Sequence, residues 1–123
     1  MPSSGEVLRG FYRAVVQRDF SAARRYLQDD LVFVGLFETY PNADSYLTAL
    51  QGLMQITVRL DILTVLSEGE EAAVFFELET KEPVKATTLV AEWHRLRDGK
   101  IYRTQSAFDG RAFAAMFSGP KSG

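Results

Sequence analysis

Cysteine is missing from all 123 residues. Its absence excludes disulfides, thiolate zinc sites and a cysteine nucleophile together, and it suits a reducing compartment, for which the cytoplasm is the expectation. Histidine occurs only once, so a zinc centre is not expected: Glu92 and His94, even helped by Glu77 or Asp61, are a poor ligand set for it. No run approaches the roughly 18 apolar residues needed to cross a bilayer. Met1-Pro2-Ser3-Ser4-Gly5 lacks the basic start and apolar stretch of a secretion signal. An excess of positive charge is lacking too, since 14 basic and 16 acidic residues leave a formal charge of −2. Arg24-Arg25, Arg95, Arg97, Arg103 and Arg111 are scattered and form no stripe. Neither nucleic acid nor an anionic membrane is therefore an expected partner. Glycine-rich phosphate loops are absent, and none of the serines stands in a nucleophile elbow.

What is present is ordinary globular material. The chain is 46% hydrophobic, with nine Phe and five Tyr, enough to fill a core or to line an apolar cavity. The length fits one domain, read here as residues 6–113, with 1–5 and 114–123 as flexible ends. Val7, Leu8, Phe11, Val15 and Val16 recur at helical spacing. Asp19 is placed to cap a second helix with Phe20, Ala23 and Leu27 on its apolar side, ending in Gln28-Asp29-Asp30. Leu31 to Gly35 reads as a buried strand and Leu36 to Pro41 as a loop. Asn42 then caps a third helix carrying Tyr46, Leu47, Leu50, Leu53 and Met54.

After Gln55 the hydrophobic period changes to two: Ile56, Val58, Leu60 and Ile62 alternate with polar residues, although Leu63 and Val65 blur the far end. Turns at Glu68-Gly69-Glu70-Glu71, Lys81-Glu82-Pro83 and Arg97-Asp98-Gly99-Lys100 divide the remainder into a meander of long strands. Helices first and antiparallel strands afterwards is the α+β pattern.

The penultimate strand carries the chemistry. Alternation puts Val90, Glu92, His94 and Leu96 on one face and Leu89, Ala91, Trp93 and Arg95 on the other. If the first face is the inner one, a carboxylate and the chain's single imidazole stand about 6.5 to 7 Å apart along the strand in apolar surroundings. Such a pair is suited to acid/base catalysis near neutral pH. The plainer readings are a structural pair, with each other or with Arg103, or reversed faces with Trp93 in the core. Facing on the last strand depends on the turn. A three-residue loop puts Tyr102, Thr104, Ser106 and Phe108 on the face of Glu92, whereas a two-residue turn puts Ile101, Arg103 and Gln105 there.

Four short motifs recur in order: Arg18-Asp19-Phe20 closing a helix, Asp29-Asp30 before a strand, Asp98-Gly99-Lys100-Ile101, and Phe108-Asp109. Their order and spacing resemble the nuclear-transport-factor-2-like superfamily and its SnoaL-like branch, the scaffold of ketosteroid isomerases and polyketide cyclases. The resemblance implies a cone: three N-terminal helices on the concave face of a curved, mostly antiparallel sheet, around a pocket for a small apolar molecule. It favours the three-residue loop, and it implies dimerisation through the sheet.

Carried over residue by residue, the isomerase base falls at Gly35, its oxyanion tyrosine at Phe11 (with Tyr12 beside it), and its protonated aspartate at Glu92. The acidic residue of the limonene-epoxide-hydrolase branch falls at Ser106. Neither reaction by its usual mechanism is therefore expected. Phe11, Val15, Leu27, Phe33, Leu50, Leu53, Phe76 and Phe108 are expected to line the interior. Phe11, Tyr12, Phe33, Tyr40, Phe76, Ser106 and Phe108 are the expected ligand-binding residues, Glu92 and His94 the catalytic ones, with no metal or cofactor. The functional expectation is a small-molecule pocket of isomerase, cyclase or hydratase type, against a non-catalytic binding or dimerisation module. A homodimer is expected through Trp93, Leu89, Ala91 and Ile101, because an apolar outer sheet face asks for a partner.

Overall fold

The computed structural model describes residues 2–115; Met1 and residues 116–123, most of the expected flexible C-terminal end, lie outside the described residues. Helix α1 (Ser4–Val16) begins within the segment expected to fray. Ser3 accepts from the Glu6 backbone at 3.1 Å while the Glu6 carboxylate accepts from Ser3 N at 2.9 Å, so two otherwise orphaned donors are satisfied at once. The apolar stripe of α1 is buried as expected, except that Val16 is 40% exposed where the chain leaves the helix. Arg18 takes a positive φ of 59° there. Its guanidinium bonds the carbonyls of Val16, Met54 and Thr57, tying the end of α1 to the chain beyond the third helix.

Helix α2 (Phe20–Arg24) is capped by Asp19, as expected, but it stops after five residues. Strand β1 (Leu27–Val34) then begins four residues earlier than the sequence suggests. The cause is long-range: Tyr26 O accepts from Ile101 N at 2.9 Å and Leu27 pairs in parallel with Ile101, which draws the chain into the sheet. The expected loop contains a two-residue strand, β2 (Thr39–Tyr40), paired with Phe33 and Val34. Asn42 caps α3 (Ala43–Gln55), accepting from Ser45 N at 2.8 Å.

Four long strands complete the fold: β3 (Thr57–Glu68), β4 (Glu71–Thr80), β5 (Ala86–Arg97) and β6 (Lys100–Phe108). The sheet order is β2-β1-β6-β5-β4-β3, antiparallel except for β1 with β6. The sheet is curved and does not close, and the helices pack on one face, with α1 over β3 and β4 and α3 against β1. The register of β3 slips twice against β4, leaving Val58 and Leu63 as extra residues. That accounts for the blurred alternation: Leu60 and Ile62 pair with the inward Leu78 and Phe76, and one bulge later Val65 pairs with Val74.

The β5–β6 turn matches neither simple alternative. Asp98 and Gly99, both at positive φ, form a two-residue turn between the paired Arg97 and Lys100. A bulge at Tyr102 then resets the alternation, since Leu96 pairs with Ile101 but Arg95 with Arg103. Ile101 and, beyond the bulge, Thr104, Ser106 and Phe108 consequently all sit on the inner side. Ile101 is therefore corrected as an outer-face contact; it is 1% exposed, in the core.

Candidate functional site

Strand β5 delivers Glu92 and His94 to the inner face, 7% and 1% exposed, while Trp93 between them is 44% exposed on the outside. Across the hairpin Glu92 pairs with Ser106 and His94 with Thr104. From α1, Tyr12 descends onto this patch. Its hydroxyl donates a short hydrogen bond to Glu92 Oε1 and lies 3.2 Å from His94 Nε2. The imidazole and carboxylate approach to 3.5 Å. His94 Nδ1 is held 2.8 Å from Thr104 Oγ1. A buried polar chain, Thr104–His94–Tyr12–Glu92, thus runs from β6 to the inner wall of the molecule.

Glu92 marks the polar end of a cavity of about 480 Å3, within the size range of small-molecule sites. Tyr12, Phe33, Tyr40, Phe76, Ser106, Phe108 and Glu92 all stand on its wall, together with Leu50 and Leu53 of α3. Two expected residues do not. Phe11 is 1% exposed and packs edge-on against Tyr12 at 5.2 Å and stacks on Tyr46 at 6.5 Å with 27° between the planes, so it lies in the core and off the cavity wall. His94 lies behind Tyr12 and Glu92 and is not among the residues lining the cavity. The inner side of α1 is wide enough to bury both Phe11 and Tyr12, and it is Tyr12, not Phe11, that meets the carboxylate.

Two lining residues absent from the expected binding set stand out. Tyr46 stacks on Phe33 at 4.5 Å with 13° between the ring planes and reaches the cavity from α3. Phe113 closes against Phe108, 5.8 Å between centroids, from beyond the last strand. The helical spacing of Tyr46 with Leu50 and Leu53 was a usable signal; Phe113 had none.

Burial, and then the negative charge of Glu92, push the phenols of Tyr12 and Tyr46 well above the ordinary tyrosine range. Both are neutral donors at physiological pH. Tyr12 spends its proton on Glu92. Among the described residues no hydrogen bond to a protein group is formed by the side chains of Tyr46 or Ser106, and both line the cavity. No group of three or more acidic, histidine or cysteine side chains able to hold a metal exists among the described residues. No helix there is long and apolar enough to cross a membrane.

Comparisons with known proteins agree on the scaffold. A protein from Kribbella flavida DSM 17836 superposes with a TM-score of 0.83 at 21% identity, over 97% of each chain. A limonene-epoxide-hydrolase-like epoxide hydrolase of M. tuberculosis gives 0.75 at 18% identity, over 94% of this chain and 89% of its own. A de novo designed protein with a curved β-sheet gives 0.78 at 18%, over 94% and 92%. Identities this low establish the fold and no activity, as the designed neighbour makes plain. No curated protein matches the chain in sequence. The SnoaL-like domain model, however, matches residues 8–104, from the second turn of α1 to the threonine that holds His94. The chain belongs to the SnoaL-like domain family.

Proposed function

We propose that the protein binds a small, largely apolar molecule in the cone and moves a proton at an oxygen-bearing end of it, in the manner of an isomerase, cyclase or hydratase, within a reducing compartment such as the cytoplasm. The observation that carries this reading is the Tyr12 hydroxyl on the Glu92 carboxylate, with His94 at 3.2 Å from that hydroxyl, at the buried polar end of a largely apolar cavity. Glu92 is the proton acceptor and donor, because it is the buried carboxylate on the wall. Tyr46 and Ser106 supply hydroxyl donors for a developing negative oxygen.

Tyr12, His94 and Thr104 can keep Glu92 hydrogen-bonded in either of its protonation states. With Glu92 ionised, Thr104 donates to Nδ1, Nε2–H donates to Tyr12, and Tyr12 donates to Glu92. With Glu92 protonated, every bond runs the other way. The contacts are compatible with both directions. In an isomerisation Glu92 would take a proton from the carbon beside the substrate's carbonyl and return it to another carbon, so no further reactant is needed. A positioned acid/base of this kind contributes about 10²- to 10⁴-fold.

The test pairs binding with proton exchange. Small apolar ketones are screened by thermal shift, and hits are followed by NMR in deuterated water for exchange at the carbon next to the carbonyl. The wild type should bind and exchange, while Glu92→Gln should still bind and cease to exchange. Binding without exchange in the wild type would favour the rival reading, a non-catalytic binding module.

A further inference from the structure

The charge of the cavity wall says more than its apolarity. Glu38 and Glu92 both stand on it, and among the described residues it contains no lysine or arginine. An acid or a phosphate entering this space would meet two like charges, one of them buried, and no cation. The two carboxylates differ in station. Glu92 is buried and engaged by Tyr12. Glu38 is exposed, in the short connection between β1 and β2, where its backbone carbonyl accepts from Gly35 N at 2.8 Å and leaves the side chain out of the turn's own bonding. It sits beside Tyr40, whose phenol is raised by burial and then by the charge of Glu38, to which it also donates a hydrogen bond. Phe37 precedes it and Tyr40 stands two residues after it, and both are on the wall. The mouth of the cavity thus joins a carboxylate to aromatic rings, the combination that attracts an alkylammonium ion by charge and by ring quadrupole together.

Resting on the small-molecule reading of this cavity, we infer that the ligand is a hydrophobic amine. Its apolar body occupies the cone with an uncharged oxygen end toward Glu92, and its protonated nitrogen sits at the mouth against Glu38, Phe37 and Tyr40. The carboxylate at the mouth sets specificity; the one at the polar end does the chemistry.

Three ligands sharing one apolar ketone body, ending in a primary amine, an alcohol or a carboxylate, test this by calorimetry on the wild type, Glu38→Gln and Glu92→Gln. The amine should bind roughly fivefold tighter than the alcohol, the sum of a partly exposed ion pair and ring contacts, with the carboxylate weakest. Glu38→Gln should close the amine–alcohol gap and leave the alcohol unchanged, since the turn depends on the backbone of that residue. A carboxylate that binds as tightly as the amine, or a gap that survives Glu38→Gln, would overturn the inference. Amine preference without proton exchange would sink only the catalytic reading, and failure of all three ligands to bind would remove both.

Discussion

Tyr12 and Tyr46 both feel the charge of Glu92, and their shifted phenols make a pH signature. The unfolded chain releases a phenolic proton near the ordinary value of 10, whereas the folded chain holds it to higher pH, first through burial and then through Glu92. The folded state therefore binds more protons above that point. Its advantage is complete below about pH 10 and is lost as pH rises towards the folded values, with a slope of up to about 1.4 kcal/mol per pH unit for each phenol. Urea midpoints measured from about pH 8 to pH 11 should decline less steeply for Tyr46→Phe than for the wild type; equal slopes would place the Tyr46 hydroxyl in water. At neutral pH, Tyr12→Phe should cost about 1 to 3 kcal/mol, because Glu92 loses its donor while remaining buried. A loss below about 0.5 kcal/mol would mean that water replaces the phenol. Strand alternation put Glu92 and His94 on the face of Val90 and Leu96 and opposite Trp93, but left open which of the two faces points inward. Tyr12 was half readable: it stands at helical spacing with Leu8 and Val15, yet its meeting with Glu92 depends on how α1 crosses the sheet, which no local pattern encodes.

Strand β6 reaches its facing by a device the sequence hid. A two-residue turn at Asp98-Gly99 alone would have turned Ser106 and Phe108 outward, and the bulge at Tyr102 turns them back. It follows that Tyr102 is the residue the hairpin can spare. Deleting it should leave a cooperative unfolding transition and the Glu92–Ser106 pairing, whereas deleting Gln105 should flip Ser106 and Phe108 and abolish ligand binding. Circular dichroism melts and ligand thermal shifts on the two deletions decide the matter, and comparable behaviour of both would refute the role given to the bulge. The α+β order, the caps at Asp19 and Asn42 and the long β-meander were legible, because caps, turns and periodicity are local signals. The start of β1 was not, because Phe20, Ala23 and Leu27 keep helical spacing and only the pairing with Ile101 ends the helix.

Across the whole molecule the outer sheet face is apolar in the middle and charged at both ends. Leu66, Leu89 and Trp93 are exposed, with Phe75 and Ala91 half-buried between them. Arg95 faces Arg103 at one end, while Asp61, Glu77 and Glu79 surround Arg59 at the other. A two-fold axis through the middle would lay each end on its opposite, so the expected state is a homodimer centred on Trp93. Sedimentation should return twice the 13.8 kDa of the chain, and Trp93→Glu should reduce it to one copy by facing a buried carboxylate with its twin. A wild-type monomer at micromolar concentration would refute this. The open sheet carries a different hazard along its rim. Strand β3 gives it a twelve-residue edge with Val58 and Leu63 exposed, and those are the two positions where its register with β4 slips. A long, flat apolar edge invites extra strands and seeds fibrils. A rim kinked at both places offers an incoming chain no straight ladder to extend, so the same irregularities that weaken its internal pairing oppose edge-to-edge addition of strands.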